Sequence, residues 1–80
     1  MRIRKRPIGT SNLVGANIER IRKEHNLKQI EVIAQLQTAG IDINPTSYSK
    51  LEGQVRMATD KEIYAIAKIL KVDVNDLFAD

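Results

Sequence analysis

The chain has no cysteine and no tryptophan, two prolines, four glycines and a single histidine, His25. Without cysteine it has no disulfide frame, no thiol nucleophile and no zinc site built from Cys and His. Aromatic residues make up only 4%. Tyr48, Tyr64 and Phe78 are too few to build the stacking platforms on which single-stranded RNA is usually read. No apolar run approaches the length that spans a bilayer. The basic opening Arg2, Arg4, Lys5 and Arg6 runs into Pro7, Gly9, Thr10, Ser11 and Asn12 rather than an apolar signal core, so a cytoplasmic protein without membrane contact is expected. There is no glycine-rich phosphate loop, and the acids are spread along the chain. His25 falls on an apolar stripe with no Ser or Cys partner implied beside it. The expectation is therefore no enzyme, no metal, no cofactor and no small-molecule ligand.

Within 80 residues, 42% are hydrophobic and 29% charged, which fits one small folded module with a single core. A domain of this size without staples is usually helical. The formal net charge is +3, and it is unevenly placed. Four cations stand in the first six residues, leaving nine basic against ten acidic side chains in the rest. The chain therefore divides into a basic arm, residues 1–10, and a nearly neutral domain, residues 11–80. Such an arm either meets an anionic polymer, displacing condensed counterions, or is a solvated terminus.

Apolar spacing of three to four residues predicts an all-α domain of five helices, and period-two alternation is nowhere sustained. Val14, Ile18, Ile21 and His25 mark a first helix over about 13–25, with Asn12 as its cap and Asn26 in the left-handed conformation that closes it. A second helix begins near Gln29, with Val32, Ile33 and Leu36 on one side. Gly40 suits its C′ position, and Ile41 folds back on Leu36. Asn44 as N-cap, Pro45 at the first helical position, and the Ile43 and Tyr48 staple then start a short third helix that ends near Gly53. Thr59 and Glu62 form a capping box ahead of Ile63, Ile66, Ala67 and Leu70. Asp73 and Asp76 repeat it ahead of Val74, Leu77 and Phe78.

The second and third helices, joined by a brief connection, suggest a helix-turn-helix. At 100° per residue, the third helix turns Tyr48, Leu51 and Glu52 to one side. Thr46, Ser49, Lys50 and Gly53 fall on the other. That outer row is small, hydrogen-bonding and cationic. Lys donates to guanine O6 and N7, Ser and Thr reach base edges or phosphates, and Gly53 permits close backbone approach. Each of these residues alone is ordinary on a solvated helix. Their combination points to a groove.

Residues 14–78 resemble the Cro/CI-type (XRE) helix-turn-helix family of bacterial and phage transcription regulators. The resemblance is carried by Gly15 to Arg22 (GANIERIR), Asn26 to Gln29 (NLKQ), Ser47 to Glu52 (SYSKLE) and, most specifically, Ile66 to Phe78 (IAKILKVDVNDLF). It implies a compact five-helix Cro/CI-repressor-like domain that binds double-stranded DNA sequence-specifically as a repressor-like regulator. The helix at about 45–53 would lie in the major groove, and a homodimer, at least on DNA, would fit. Thr46, Ser49 and Lys50 are expected to contact bases: Thr46 and Lys50 match the family's base-contact positions, and Ser49 shares their face. Gln29 matches the glutamine on the phosphate backbone, where Lys28, Ser47, Gly53 and Arg56 are also expected. Arg22 and Glu52 match a paired arginine and glutamate.

Several positions depart from the family pattern. Lys28 stands where a Thr or Ser cap is usual, which predicts a weaker cap. Ile33 replaces a small alanine, and the stretch from Gln29 to Glu52 is about five residues longer than the compact motif. The extra length is expected to separate the backbones and house Ile33. Pro45 removes an N–H that could bind phosphate. Gly53 comes one place early, with Gln54 in the usual glycine position. An alternative function is a protein-binding module of the same fold, such as an antitoxin or anti-repressor partner. That reading needs an exposed apolar patch, for which Val74, Leu77 and Phe78 are the only candidates, and they are expected to lie in the core.

Overall fold

Five helices make up the described part of the structure, a computed structural model covering residues 11–79. They are α1 (Gly15–Glu24), α2 (Gln29–Thr38), α3 (Pro45–Glu52), α4 (Asp60–Leu70) and α5 (Val74–Leu77). No strand occurs among the described residues. The basic arm, with Arg2, Arg4, Lys5 and Arg6, lies outside them, as does Asp80. No described helix is long and apolar enough to cross a membrane.

The helix starts follow from the side chains that precede them. Asn12 Oδ1 accepts the N–H groups of Val14 and Gly15 at 3.1 and 2.8 Å, so α1 begins at Gly15. At α3, Asn44 Oδ1 accepts Ser47 N–H at 2.7 Å, with Pro45 in the first turn. Thr59 and Glu62 cap α4 reciprocally, at 3.2 and 3.0 Å. Asp76 takes the N–H of Asp73 at 3.2 Å to start α5. Lys28 has no acceptor to offer α2, but Glu31 reaches back to Lys28 N–H at 2.7 Å and supplies half of a capping box.

Helices α1 to α4 end on left-handed residues: Asn26 (φ 57°), Gly40 (φ 90°), Gln54 (φ 62°) and Lys71 (φ 60°). Each is followed by an N–H that reaches five residues back: Leu27 to Arg22, Ile41 to Leu36, Val55 to Lys50 and Val72 to Ala67. These closures use up carbonyls that would otherwise be orphaned at the helix end.

The core gathers Val14, Ile18 and Ile21 from α1; Val32, Ile33 and Leu36 from α2; and Tyr48 and Leu51 from α3. Ile66, Ala67, Leu70 and Leu77 join from α4 and α5, and Ile43 completes it from the connector between α2 and α3. Here α2 packs between α3 and α4, and α1 crosses α3, α4 and α5. Ile33 is buried, and Gln37 Nε2 pins the connector after α2 by donating to the Ile43 carbonyl at 2.9 Å. Two expectations change. Leu77 is buried and Val74 half-buried, but Phe78 is 46% exposed because it lies past the end of the short α5. His25 lies off the core stripe, exposed, with Nε2 2.9 Å from the carbonyl of Leu70, the last residue of α4.

Candidate nucleic-acid interface

The inner face of α3 is anchored by a buried charge network. Arg22 on α1 meets Glu52 at the end of α3 side-on: Nε donates to Oε2 at 2.8 Å and Nη2 to Oε1 at 3.1 Å. The side chains are 8% and 3% exposed. The remaining Arg22 nitrogen donates to the Leu27 carbonyl at 2.7 Å. Gln29, at the first turn of α2, donates its Nε2 to Glu52 Oε1 at 3.0 Å. The Glu52 bond holds the Arg22 guanidinium more firmly protonated, outweighing its burial. Beside this pair, burial first and then Glu52 push the Tyr48 phenol well above its ordinary range. Its hydroxyl has no hydrogen-bond partner.

Backbone contact locks the same C-terminal end of α3. A Cβ on Gly15 would lie 2.3 Å from the Leu51 carbonyl oxygen and 2.7 Å from that of Glu52. Only glycine lets α1 start so close to α3. Asn12 Nδ2 donates to the carbonyls of Leu51 and Arg56 at 3.0 and 2.8 Å. Gln54 is buried in its left-handed conformation, with Nε2 on the Asn12 carbonyl at 2.9 Å and Oε1 without a partner. Gly53 itself is right-handed (φ −78°). Its glycine is therefore not needed for the turn.

The outer row of α3 places Thr46, Ser49 and Lys50 at the surface. Among the described residues, neither the Thr46 hydroxyl nor the Lys50 ammonium is engaged by another side chain. Ser49 is tied down: its hydroxyl donates to Gln29 Oε1 at 2.9 Å. Gln29 thus bridges Glu52 and Ser49 and links the α2 start to both faces of α3. Ser47 is half-buried, and its N–H is already taken by Asn44. Lys28 is exposed beside the first turn of α2. Gly53 lies half-buried at the far end of the row.

Arg56 is more occupied than the sequence suggests. Its guanidinium grips Glu62 in a bidentate pair at 2.9 and 2.6 Å and also donates to the Met57 carbonyl at 2.7 Å. It keeps 26% side-chain exposure. Arg56, ahead of the cap bond from Thr59, draws the Glu62 carboxyl below the usual carboxylate range despite its burial. Sequence reading identified Glu62 as half of a capping box and missed the pair. A cation six residues before a capping glutamate was the available signal.

The row on α3, the first turn of α2 and the loop after α3 thus form one continuous edge. Beneath it lies the buried Arg22–Glu52 pair, and on its surface Ile30, Val55 and Met57 stand exposed beside the polar row. No family model, curated protein or solved structure matches the chain.

Proposed function

We propose that this protein binds double-stranded DNA sequence-specifically, as a repressor-like regulator of the Cro/CI type, with α3 in the major groove. The observation that carries the reading is the exposed row Thr46, Ser49 and Lys50 on a helix whose opposite face is fixed by the buried Arg22–Glu52 pair. Base reading needs side chains that are free at the surface and a backbone that does not move under them. Lys50 can bridge the O6 and N7 acceptors of guanine. Thr46 offers one hydroxyl and a methyl suited to thymine. Ser49, held by Gln29, serves to space the two.

Backbone contacts come from the edge around that row. Lys28, the side-chain N–H of Gln29 not used by Glu52, and Gly53 supply them, and Arg56 adds charge from the loop. The first turn of α2 presents amide groups toward a phosphate, as helix starts do. A dimer would repeat the row about 10 base pairs away, and such a regulator works in the prokaryotic cytoplasm. The test is selection of bound duplexes from a random library, followed by Lys50→Ala on the preferred site. The variant should lose about 1–3 kcal/mol and relax base choice at one position. An equal loss on preferred and scrambled duplexes would remove Lys50 from base reading. A library without enrichment would remove the function.

A further inference from the structure

Away from that edge, the end of α2 and the outer side of α4 enclose an open apolar groove. Ala39, Ile41, Ala65 and Ile69 form its floor, and Lys61, Tyr64 and Lys68 its rim. Lys61 and Lys68 stand two turns apart on α4, and neither is paired with an acid among the described residues. The Lys68 ammonium lies over the Tyr64 ring, 5.0 Å from its centre, and Tyr64 is 60% exposed. The groove is apolar below and cationic above.

The backbone decides what shape of occupant fits. The N–H groups of Ala39, Gly40 and Ile41 are spent on closing α2, and the wall from α4 is mid-helix. An extended peptide would find no edge to pair with and would leave its own amides unsatisfied. A helix brings its hydrogen bonds with it and presents a row of side chains to such a floor. The described residues of a second copy of this chain have no such row to offer. Its helical apolar faces are in the core, and outside the groove its exposed large hydrophobics, Leu13, Ile30, Val55, Met57 and Phe78, sit on separate elements or loops.

We propose that this groove docks an amphipathic helix of another protein, with aliphatic side chains on Ile41, Ala65 and Ile69 and acidic side chains facing Lys61 and Lys68. The site lies about 15 Å along α2 from Gln29. Docking there leaves the outer row of α3 free and does not depend on what that row binds.

The probe is a labelled helical peptide with leucines at helical spacing and glutamates on both flanks, compared with a sibling carrying lysine for every glutamate. The glutamate peptide should bind saturably and shift the amide resonances of Ile41, Tyr64, Ala65 and Ile69. The double variant Lys61→Glu/Lys68→Glu should bind it at least about tenfold more weakly and prefer the lysine peptide. If the reversal disturbs folding, as read from its melting temperature, Lys61→Gln/Lys68→Gln gives the same reading without the reversed preference. Equal binding of both peptides, no binding of either, or indifference to the lysine substitutions would overturn the proposal. So would a dimer in sedimentation that these substitutions break.

Discussion

Two bidentate Arg–Glu pairs, Arg22–Glu52 and Arg56–Glu62, have similar distances and do different work. Arg22 and Glu52 are 30 residues apart in sequence and join α1 to the end of α3, nearly out of solvent, with Leu27 and Gln29 filling the remaining valences. Arg56 and Glu62 are six residues apart and pin the loop after α3 to the cap of α4, with the arginine partly in water. The first pair holds elements that chain connectivity alone would leave free to shift. The second tightens a segment already short. Burial sets how much each is worth once broken, because a charge left unpaired where water cannot reach keeps its full desolvation cost.

The largest expected effect comes from breaking the buried pair. Glu52→Gln leaves the Arg22 guanidinium uncompensated and should cost about 3–5 kcal/mol in chemical denaturation. A loss of a few tenths would mean that solvent reaches the pair and that the contrast between the two is false. Next is Gly15→Ala, which forces a methyl against the Leu51 and Glu52 carbonyls at the same joint. It should cost about 1–3 kcal/mol, against the gain of about 1 kcal/mol that helix propensity alone predicts for this change.

The exposed-side pair should show itself through pH. The Glu62 carboxyl is drawn below its ordinary range in the folded protein. It therefore contributes stability that is fully present above the unfolded value of about 4.3 and is lost as pH falls through the lower folded value. At neutral pH, Glu62→Gln should cost about 1–2 kcal/mol, and the stabilities of variant and parent should draw together only as pH falls below about 4.3. Curves that stay parallel in acid would deny the pair its electrostatic part.

The smallest effect separates paired from unpaired atoms at the buried joint. The Tyr48 hydroxyl sits beside Glu52 without a hydrogen bond. Tyr48→Phe should therefore cost no stability and gain up to about 1 kcal/mol, because a buried hydroxyl without a partner already carries its desolvation cost. A loss above about 1 kcal/mol would show that the phenol belongs to the charge network.

Where a feature depends on residues close in sequence, it was legible beforehand. Asn44 with Pro45, Thr59 with Glu62, and Asn26 and Gly40 announce helix boundaries because a cap is an interaction over three or four residues. The apolar rows of α1, α2 and α4 follow from spacing alone. Lys28 offers α2 no side-chain acceptor, as its chemistry predicts, and Glu31 three residues on supplies the one cap bond, a partner that the sequence also held. Phe78 and His25 were assigned to the core by spacing. A row extended past the end of its helix no longer points where the helix points.

The sequence by itself determined that the described residues form five helices, their order and approximate bounds, and that Thr46, Ser49 and Lys50 face outward from α3. Only the tertiary structure decided that Gly15 is required by the α3 carbonyls, that Gln54 stays left-handed and buried on Asn12, and that Gln29 spans Glu52 and Ser49. It also decided that Arg56 is held by Glu62, and that Ile41, Tyr64 and Ile69 line one groove. Local hydrogen bonds and periodicity are written in consecutive residues. The close approach of two helices is a sum over distant side chains, and no window of sequence contains it.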